Sequence, residues 1–198
     1  MNTSLITNGE RLSQSLELVS ELDMIGLSVD SFDEATNRSI GRIRPSGNAL
    51  SFQDIHDLVI KIRTINPGIL VKFNVVVNKY NYREKLIPML LSLLPQKIKV
   101  LQELSAGGNE SSTSDGMFSY FISNNQCECS DVYIEDKNSM TQSYLMINPS
   151  GRFYQNGNQN DYSYSDPIHE VGLLQAMRSI SFNQSRFSNR YNGIKNEK

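Results

Sequence analysis

The stretch Gly68-Ile-Leu-Val-Lys-Phe-Asn-Val-Val-Val-Asn-Lys-Tyr80 decides the fold. Read with a period of two, it sets Leu70, Lys72, Asn74, Val76 and Asn78 on one side and Ile69, Val71, Phe73, Val75 and Val77 on the other. One face is wholly apolar and can pack, whereas the other carries a cation and two amides. Helical patterns flank the strand on both sides, as in a parallel sheet whose two faces are covered. Covered polar side chains need partners. A partly closed barrel with a polar ligand in its lumen would supply them.

Toward the N-terminus, Ser4–Thr7 reads as a short apolar strand ending at the turn signal Asn8-Gly9. Leu12, Leu16, Leu18, Val19 and Leu22 predict a helix with one buried face over Glu10–Leu22. Met24–Asp30 repeats the two-faced pattern, with Met24, Gly26, Ser28 and Asp30 opposite Ile25, Leu27 and Val29. Ser31–Arg44 is polar and predicts a loop with a short helix. Phe52–Ile65 predicts a helix that stops before Asn66-Pro67-Gly68. Beyond the central strand, Tyr82–Leu94 predicts a third helix closed by Pro95, and Lys97–Glu103 a fourth strand. The order β-α-β-α-β-α-β implies parallel strands with right-handed crossovers.

The rhythm changes after residue 104. Ser105–Ser114 is a loop rich in Gly, Ser and Asn, followed by a helical piece near Asp115–Ser123 and a strand at Val132–Ile134. Ser143–Ile147, the turn Asn148-Pro-Ser-Gly151 and Arg152–Tyr154 predict a β-hairpin. Gln155–Asp166 shows no hydrophobic periodicity. A last helix is expected over His169–Met177, and the basic tail to Lys198 is expected to be mobile.

With 198 residues, 38% of them hydrophobic, the chain has enough for one real core. A net charge of −2 disfavours nucleic-acid or membrane binding through bulk charge, but not a local basic pocket. No apolar run reaches the length of a membrane span and no signal pattern opens the chain, so a cytoplasmic location is expected. The two cysteines, Cys127 and Cys129, are one residue apart. That spacing suits neither a disulfide nor a complete metal site, so both are expected to be reduced.

In parallel α/β folds, functional residues gather at the carboxyl ends of the strands. That edge collects Asn8, Ser28, Asp30, Asn74, Asn78 and Gln102, while Lys72, Lys97 and Lys99 come from two adjacent strands. Three neighbouring cations repel unless something anionic lies between them, and a triphosphate or similar polyanion is an economical choice. The competing reading pairs the lysines with Asp30, Glu103 or Asp131, or sets them on a solvated rim. His56 and His169 read as surface helical residues. No zinc motif or Walker-type glycine loop is present. Tyr144, at the start of an apolar strand, reads as a core tyrosine.

The ordered set Ile6-Thr-Asn-Gly9, Ser28-Val-Asp-Ser-Phe-Asp-Glu34, Asn37 with Ile40-Gly-Arg42, Lys72-Phe-Asn74 with Asn78-Lys-Tyr-Asn81, and Lys97-Ile-Lys-Val-Leu-Gln102 resembles the viperin family. Asn138-Ser-Met140, Ser143-Tyr-Leu145, Arg152-Phe153, Asp166-Pro167 and Val171-Gly172 extend the likeness over most of Ser4–Met177. The resemblance implies an α/β partial (βα) barrel of the radical S-adenosylmethionine type. About four parallel strands would lie in residues 1–104, with a hairpin-and-helix extension over 105–198 covering the barrel mouth. It also implies S-adenosylmethionine and a 4Fe-4S cluster as cofactors. The reaction would be dehydration of a nucleoside triphosphate such as CTP to its 3′-deoxy-3′,4′-didehydro form, in antiviral or antiphage defence.

By position, Asn8, Ser28 and Arg42 would then hold S-adenosylmethionine. Lys72, Asn74, Lys97 and Lys99 would hold the nucleotide and its phosphates, and Tyr144 would return a hydrogen atom to the substrate radical. The family's first strand, its three cluster cysteines and its Gly-Gly-Glu-Pro motif have no counterpart in this sequence. Lys97 stands where animal members carry arginine, and Phe187–Gly193 matches the family's C-terminal segment only loosely. The resemblance therefore leads to three expectations: the larger part of a dehydratase completed by an N-terminal segment or partner chain, a noncatalytic nucleotide-binding protein, or an inactive remnant.

Overall fold

The computed structural model describes residues 2–104, 113–127, 130–156 and 162–192. Contacts divide the chain into two compact units, Met1–Gln102 with Thr113–Ile134, and Glu103–Ser112 with Glu135–Lys198.

In the first unit β1 (Ser4–Thr7), β2 (Met24–Ser28), β3 (Leu70–Val77) and β4 (Lys97–Gln102) pair in parallel in that order. A fifth strand, β5 (Val132–Glu135), adds beyond β4, so the sheet has one strand more than the expected four. The Ile98 N–H bonds the Asp131 carbonyl at 2.8 Å where β5 begins. The period-two reading of the central strand holds: Ile69, Val71, Phe73, Val75 and Val77 are all buried. They pack with Ile25, Leu27, Ile98 and Val100 against the helices in one core.

α2 (Phe52–Ile65) supplies Ile55, Leu58, Val59 and Ile62 to that core. A capping box starts it: the Ser51 hydroxyl accepts from the Asp54 N–H, and the Asp54 carboxylate accepts from the Ser51 N–H. The short α1 (Glu34–Ser39) is capped by Asp33, which accepts from the Thr36 N–H at 2.7 Å. α4 (Asp115–Asn124) buries Phe118 and Phe121 in the same core. It and β5 therefore belong with the sheet, although their sequence lies beyond residue 104.

Two expected helices are shorter. Glu10–Leu22 forms two 3₁₀ stretches, Leu12–Gln14 and Leu16–Glu21, broken at Ser15 (φ −144°). Its serines compete for backbone groups, as when the Ser20 hydroxyl donates to the Glu17 carbonyl at 2.8 Å. Of Tyr82–Leu94 only α3 (Ile87–Leu91) is helical. Pro88 has no N–H for a preceding turn and is tolerated only at a helix start.

In the second unit β6 (Met146–Ile147), β7 (Arg152–Asn156) and β8 (Tyr162–Pro167) form an antiparallel sheet. The hairpin turn closes as expected. Asn148 Oδ1 accepts from the Ser150 and Arg152 N–H groups at 3.0 Å, and Gly151 adopts φ +67°. β8 lies in the stretch read as aperiodic.

α5 (Lys137–Met140) precedes this sheet. The expected helix after it is divided by Gly172 (φ +81°) into α6 (Ile168–Val171) and α7 (Leu173–Arg178). The tail expected to be mobile contains α8 (Gln184–Asn192). Phe153, Ala176 and Ile180 are the core of this unit. Cys127 is a free thiol, whereas Cys129 and most of the Ser105–Ser114 loop lie outside the described residues.

Candidate functional site

The carboxyl ends of β1 and β2 open into a cleft of about 610 Å³, including its mouth, and Asn8, Ser28, Asp30 and Arg42 all line it. Asn8 follows β1 in a tight turn, where its Oδ1 accepts from the Glu10 N–H at 3.2 Å. Gly9 (φ +83°) lets that turn lie against α2, since a Cβ there would come within 2.9 Å of a Leu58 methyl. Arg42 returns to the strand ends through a short loop. Asn37, buried on α1, donates to the Ser31 carbonyl at 2.9 Å, the Arg42 N–H bonds the Asn37 carbonyl at 2.8 Å, and Gly41 takes φ +76° between them. The guanidinium then meets Asp30, with Nε 2.5 Å from Oδ2.

Asp30 is held on every side. Its Oδ1 accepts from the Val76 N–H at 2.8 Å, and its carbonyl accepts from Asn81 Nδ2 at 2.7 Å. Asn81 is fully buried and also braces the Asn78 turn, whose N–H its Oδ1 accepts at 2.8 Å. Burial raises the Asp30 carboxyl above its ordinary range, against the opposing pull of Arg42 and the Val76 N–H. Beside it, Glu84 accepts from the Ser31 hydroxyl at 2.8 and 2.9 Å, and its half-buried carboxyl is likewise raised by burial.

The lysines lie on the sheet face opposite the core. Lys72 is the register partner of Lys97, and Asn74 of Lys99, across the β3–β4 pair. On the other flank Gly26 is opposite Lys72 and Ser28 opposite Asn74. Side chains at partnered positions in a sheet share a face, so Ser28, Lys72, Asn74, Lys97 and Lys99 form one polar field. Asn74 is buried and the three lysines are half-buried. Gly26 keeps the field narrow, since a Cβ there would stand 3.2 Å from Ile6 and 3.4 Å from Asn74 Nδ2. The Lys97 ammonium sits 3.9 Å from the centre of the Tyr133 ring, contributed by β5. Asp30 is engaged by Arg42 and the Val76 N–H.

Tyr144 is in the second unit, in a buried polar cluster rather than an apolar core. Arg190 of α8 donates to the Tyr144 phenol and lies over its ring, with the guanidinium carbon 3.7 Å from the ring centre. It also donates to the Ser143 hydroxyl at 2.6 Å and pairs with Glu135 at 2.5 Å. Both ion-pair side chains are at most 6% exposed. This cluster and the Lys97–Tyr133 contact were missed from the sequence. Asn183, whose Oδ1 accepts from the Arg186 N–H at 3.0 Å, is the helix-start signal that could have placed Arg190 on a helix.

His56 and His169 lie at the helix surface. An iron–sulfur cluster needs several thiolates, and the sequence has two cysteines. Among the described residues no group of three or more His, Cys, Asp or Glu side chains is placed to hold a metal. The residues present do not fit a 4Fe-4S cluster. Among the described residues no helix is long and apolar enough to cross a membrane.

A parallel sheet with helices, a polar cleft at its strand ends and a cationic face beside the cleft define an α/β protein. No family model matches the chain. The solved structure of Streptococcus suis SuiB bound to S-adenosylmethionine superposes with a TM-score of 0.53, covering 96% of this chain and 50% of that one. At 12% identity the likeness extends to the fold alone.

Sequence relatives go further. S-adenosylmethionine-dependent nucleotide dehydratases from Fibrobacter sp. and Pseudoalteromonas ulvae are 37% and 40% identical over 98% and 97% of this chain. The one from Flammeovirga pacifica is 32% identical, and the chain covers 67% of its length. The chain belongs to the S-adenosylmethionine-dependent nucleotide dehydratase family, the viperin-like proteins. It spans 64% and 63% of the length of the first two relatives.

Proposed function

We propose that the cleft holds S-adenosylmethionine and that the lysine field beside it holds the phosphates of a nucleoside triphosphate such as CTP. The whole protein would dehydrate that nucleotide to its 3′-deoxy-3′,4′-didehydro form in antiphage defence. The observation that carries this reading is the register that puts Ser28, Asn74, Lys72, Lys97 and Lys99 on one sheet face. Cations directly across a strand pair repel, and a polyanion turns that cost into charge-assisted hydrogen bonds.

The donor set suits both ligands. Arg42, Ser28 and Asn8 offer a guanidinium, a hydroxyl and an amide around the cleft. S-adenosylmethionine, where bound, would supply the chemistry that activates the ribose. The chain's residues do the positioning: the lysines fix the phosphates, Asn74 bridges the two ligands, and the apolar core behind the sheet keeps the frame rigid. Tyr144, whose phenol Arg190 holds, would be the hydrogen-atom donor that the resemblance implies.

A second reading is a chain that binds nucleotide at the lysine field without turning it over. Anaerobic assay separates the two. The chain is supplied with a cluster-bearing N-terminal segment of a relative, reductant, S-adenosylmethionine and each nucleoside triphosphate in turn. Formation of 5′-deoxyadenosine that depends on the nucleotide supports the dehydratase. Nucleotide binding with no 5′-deoxyadenosine supports the noncatalytic reading, and a folded chain that binds neither ligand removes both.

A further inference from the structure

Asp30 is 5% exposed, yet it carries a carboxylate that burial disfavours. A residue needed only to accept the Val76 N–H could be neutral, because an asparagine amide oxygen would serve. The second oxygen is spent on Arg42, and through the Nε edge of the guanidinium. Among the described residues Nε is the one Arg42 side-chain nitrogen with a hydrogen-bond partner, and that side chain is 34% exposed on the cleft wall. A guanidinium gripped by its inner edge keeps its terminal nitrogens available as a planar fork suited to a carboxylate. Asp30 is itself fixed to β3 through the Val76 N–H and to the Asn78–Asn81 turn through its carbonyl.

We propose that Asp30 is a positioning residue for the cleft, holding Arg42 by Nε so that its terminal nitrogens receive the carboxylate of the amino-acid end of the bound ligand. This inference rests on the cleft being the S-adenosylmethionine site. Asp30 itself touches no ligand and acts through Arg42. It also ties the cleft to the lysine field, because the strand residue it grips, Val76, lies two positions beyond Asn74 and four beyond Lys72 on β3.

The test titrates the full chain with S-adenosylhomocysteine, which keeps the amino-acid end and is chemically stable. D30N keeps the acceptor for Val76, so its melting temperature is expected to stay within a few degrees of the parent while affinity falls about tenfold, the size of one charge-assisted hydrogen bond. R42Q is expected to fall as far, and D30N/R42Q no further than R42Q alone, since both act through one contact. Parent-like affinity in D30N, or additive losses in the double variant, would overturn the proposal. So would a D30N chain that fails to fold, because Asp30 would then be a structural strut.

A second readout keeps this separate from the cofactor assignment. If the parent chain does not bind the probe, the cleft reading fails. Arg42 positioning is then read from its Nε–H resonance, expected as a distinct, slowly exchanging signal in the parent and lost in D30N. An Nε–H signal unchanged in D30N would overturn the proposal.

Discussion

At the scale of single residues, the site depends on charges that are held rather than merely present. Lys97 rests on the Tyr133 ring, an aromatic face that orients an ammonium without cancelling its charge. Y133F keeps the ring and is expected to bind a nucleoside triphosphate as the parent does. Y133L is expected to bind it several-fold more weakly, as calorimetry would show. Arg190 and Glu135 are a different case, because their pair is buried. R190A removes a buried ion-pair partner of Glu135 and is expected to cost up to about 3–5 kcal/mol. Hydrogen exchange would show the loss concentrated in residues 135–192.

Legibility in the sequence follows the same division. Lys72 and Asn74 could be read from strand alternation because their neighbours on the other face are all apolar. The partner of Asp30 could not, because Arg42 reaches it through a loop turned at Gly41. Arg190 meets partners 46 to 55 positions away, a separation that no local pattern encodes.

At the scale of elements, α2 is the helix most clearly specified by local chemistry, and its cap gives a direct test. S51A is expected to lower stability by about 1 kcal/mol in a denaturant titration. The Asp54 carboxyl is held below its ordinary value of 3.8 by the Ser51 N–H first, then by the Ser51 hydroxyl and Arg44, with burial opposing. A lowered folded value means that the unfolded chain takes up the proton first. The stabilisation is therefore complete above about pH 3.8 and is lost as pH falls through the lower folded value. D54N is expected to flatten that acid-side loss, as stability measured from pH 5 downward would show.

Elements that escaped the sequence did so for identifiable reasons. In β8 the alternation is present in Tyr162-Ser-Tyr-Ser-Asp-Pro167, but the buried members are Pro167 and Ser165, and the Ser165 hydroxyl accepts from the Phe153 N–H at 2.9 Å. A buried serine satisfied by a neighbouring strand looks polar to any hydrophobic pattern. Pro88 likewise shortened a helix whose apolar spacing ran on through it.

At the scale of the whole molecule, a net charge of −2 coexists with a cationic field built by sheet register. Nucleotide binding should therefore be local and salt-sensitive, without general affinity for nucleic acid. The central claim is that Lys72, Lys97 and Lys99 receive a triphosphate, and the most direct measurement is calorimetric titration of the folded chain with CTP at low and at physiological salt. Binding that weakens as salt rises, and that falls at least about tenfold in K72A/K97A, is the result predicted from the register of β3 and β4. A folded chain that releases no heat with any nucleoside triphosphate, or a double variant that binds as the parent does, would contradict it.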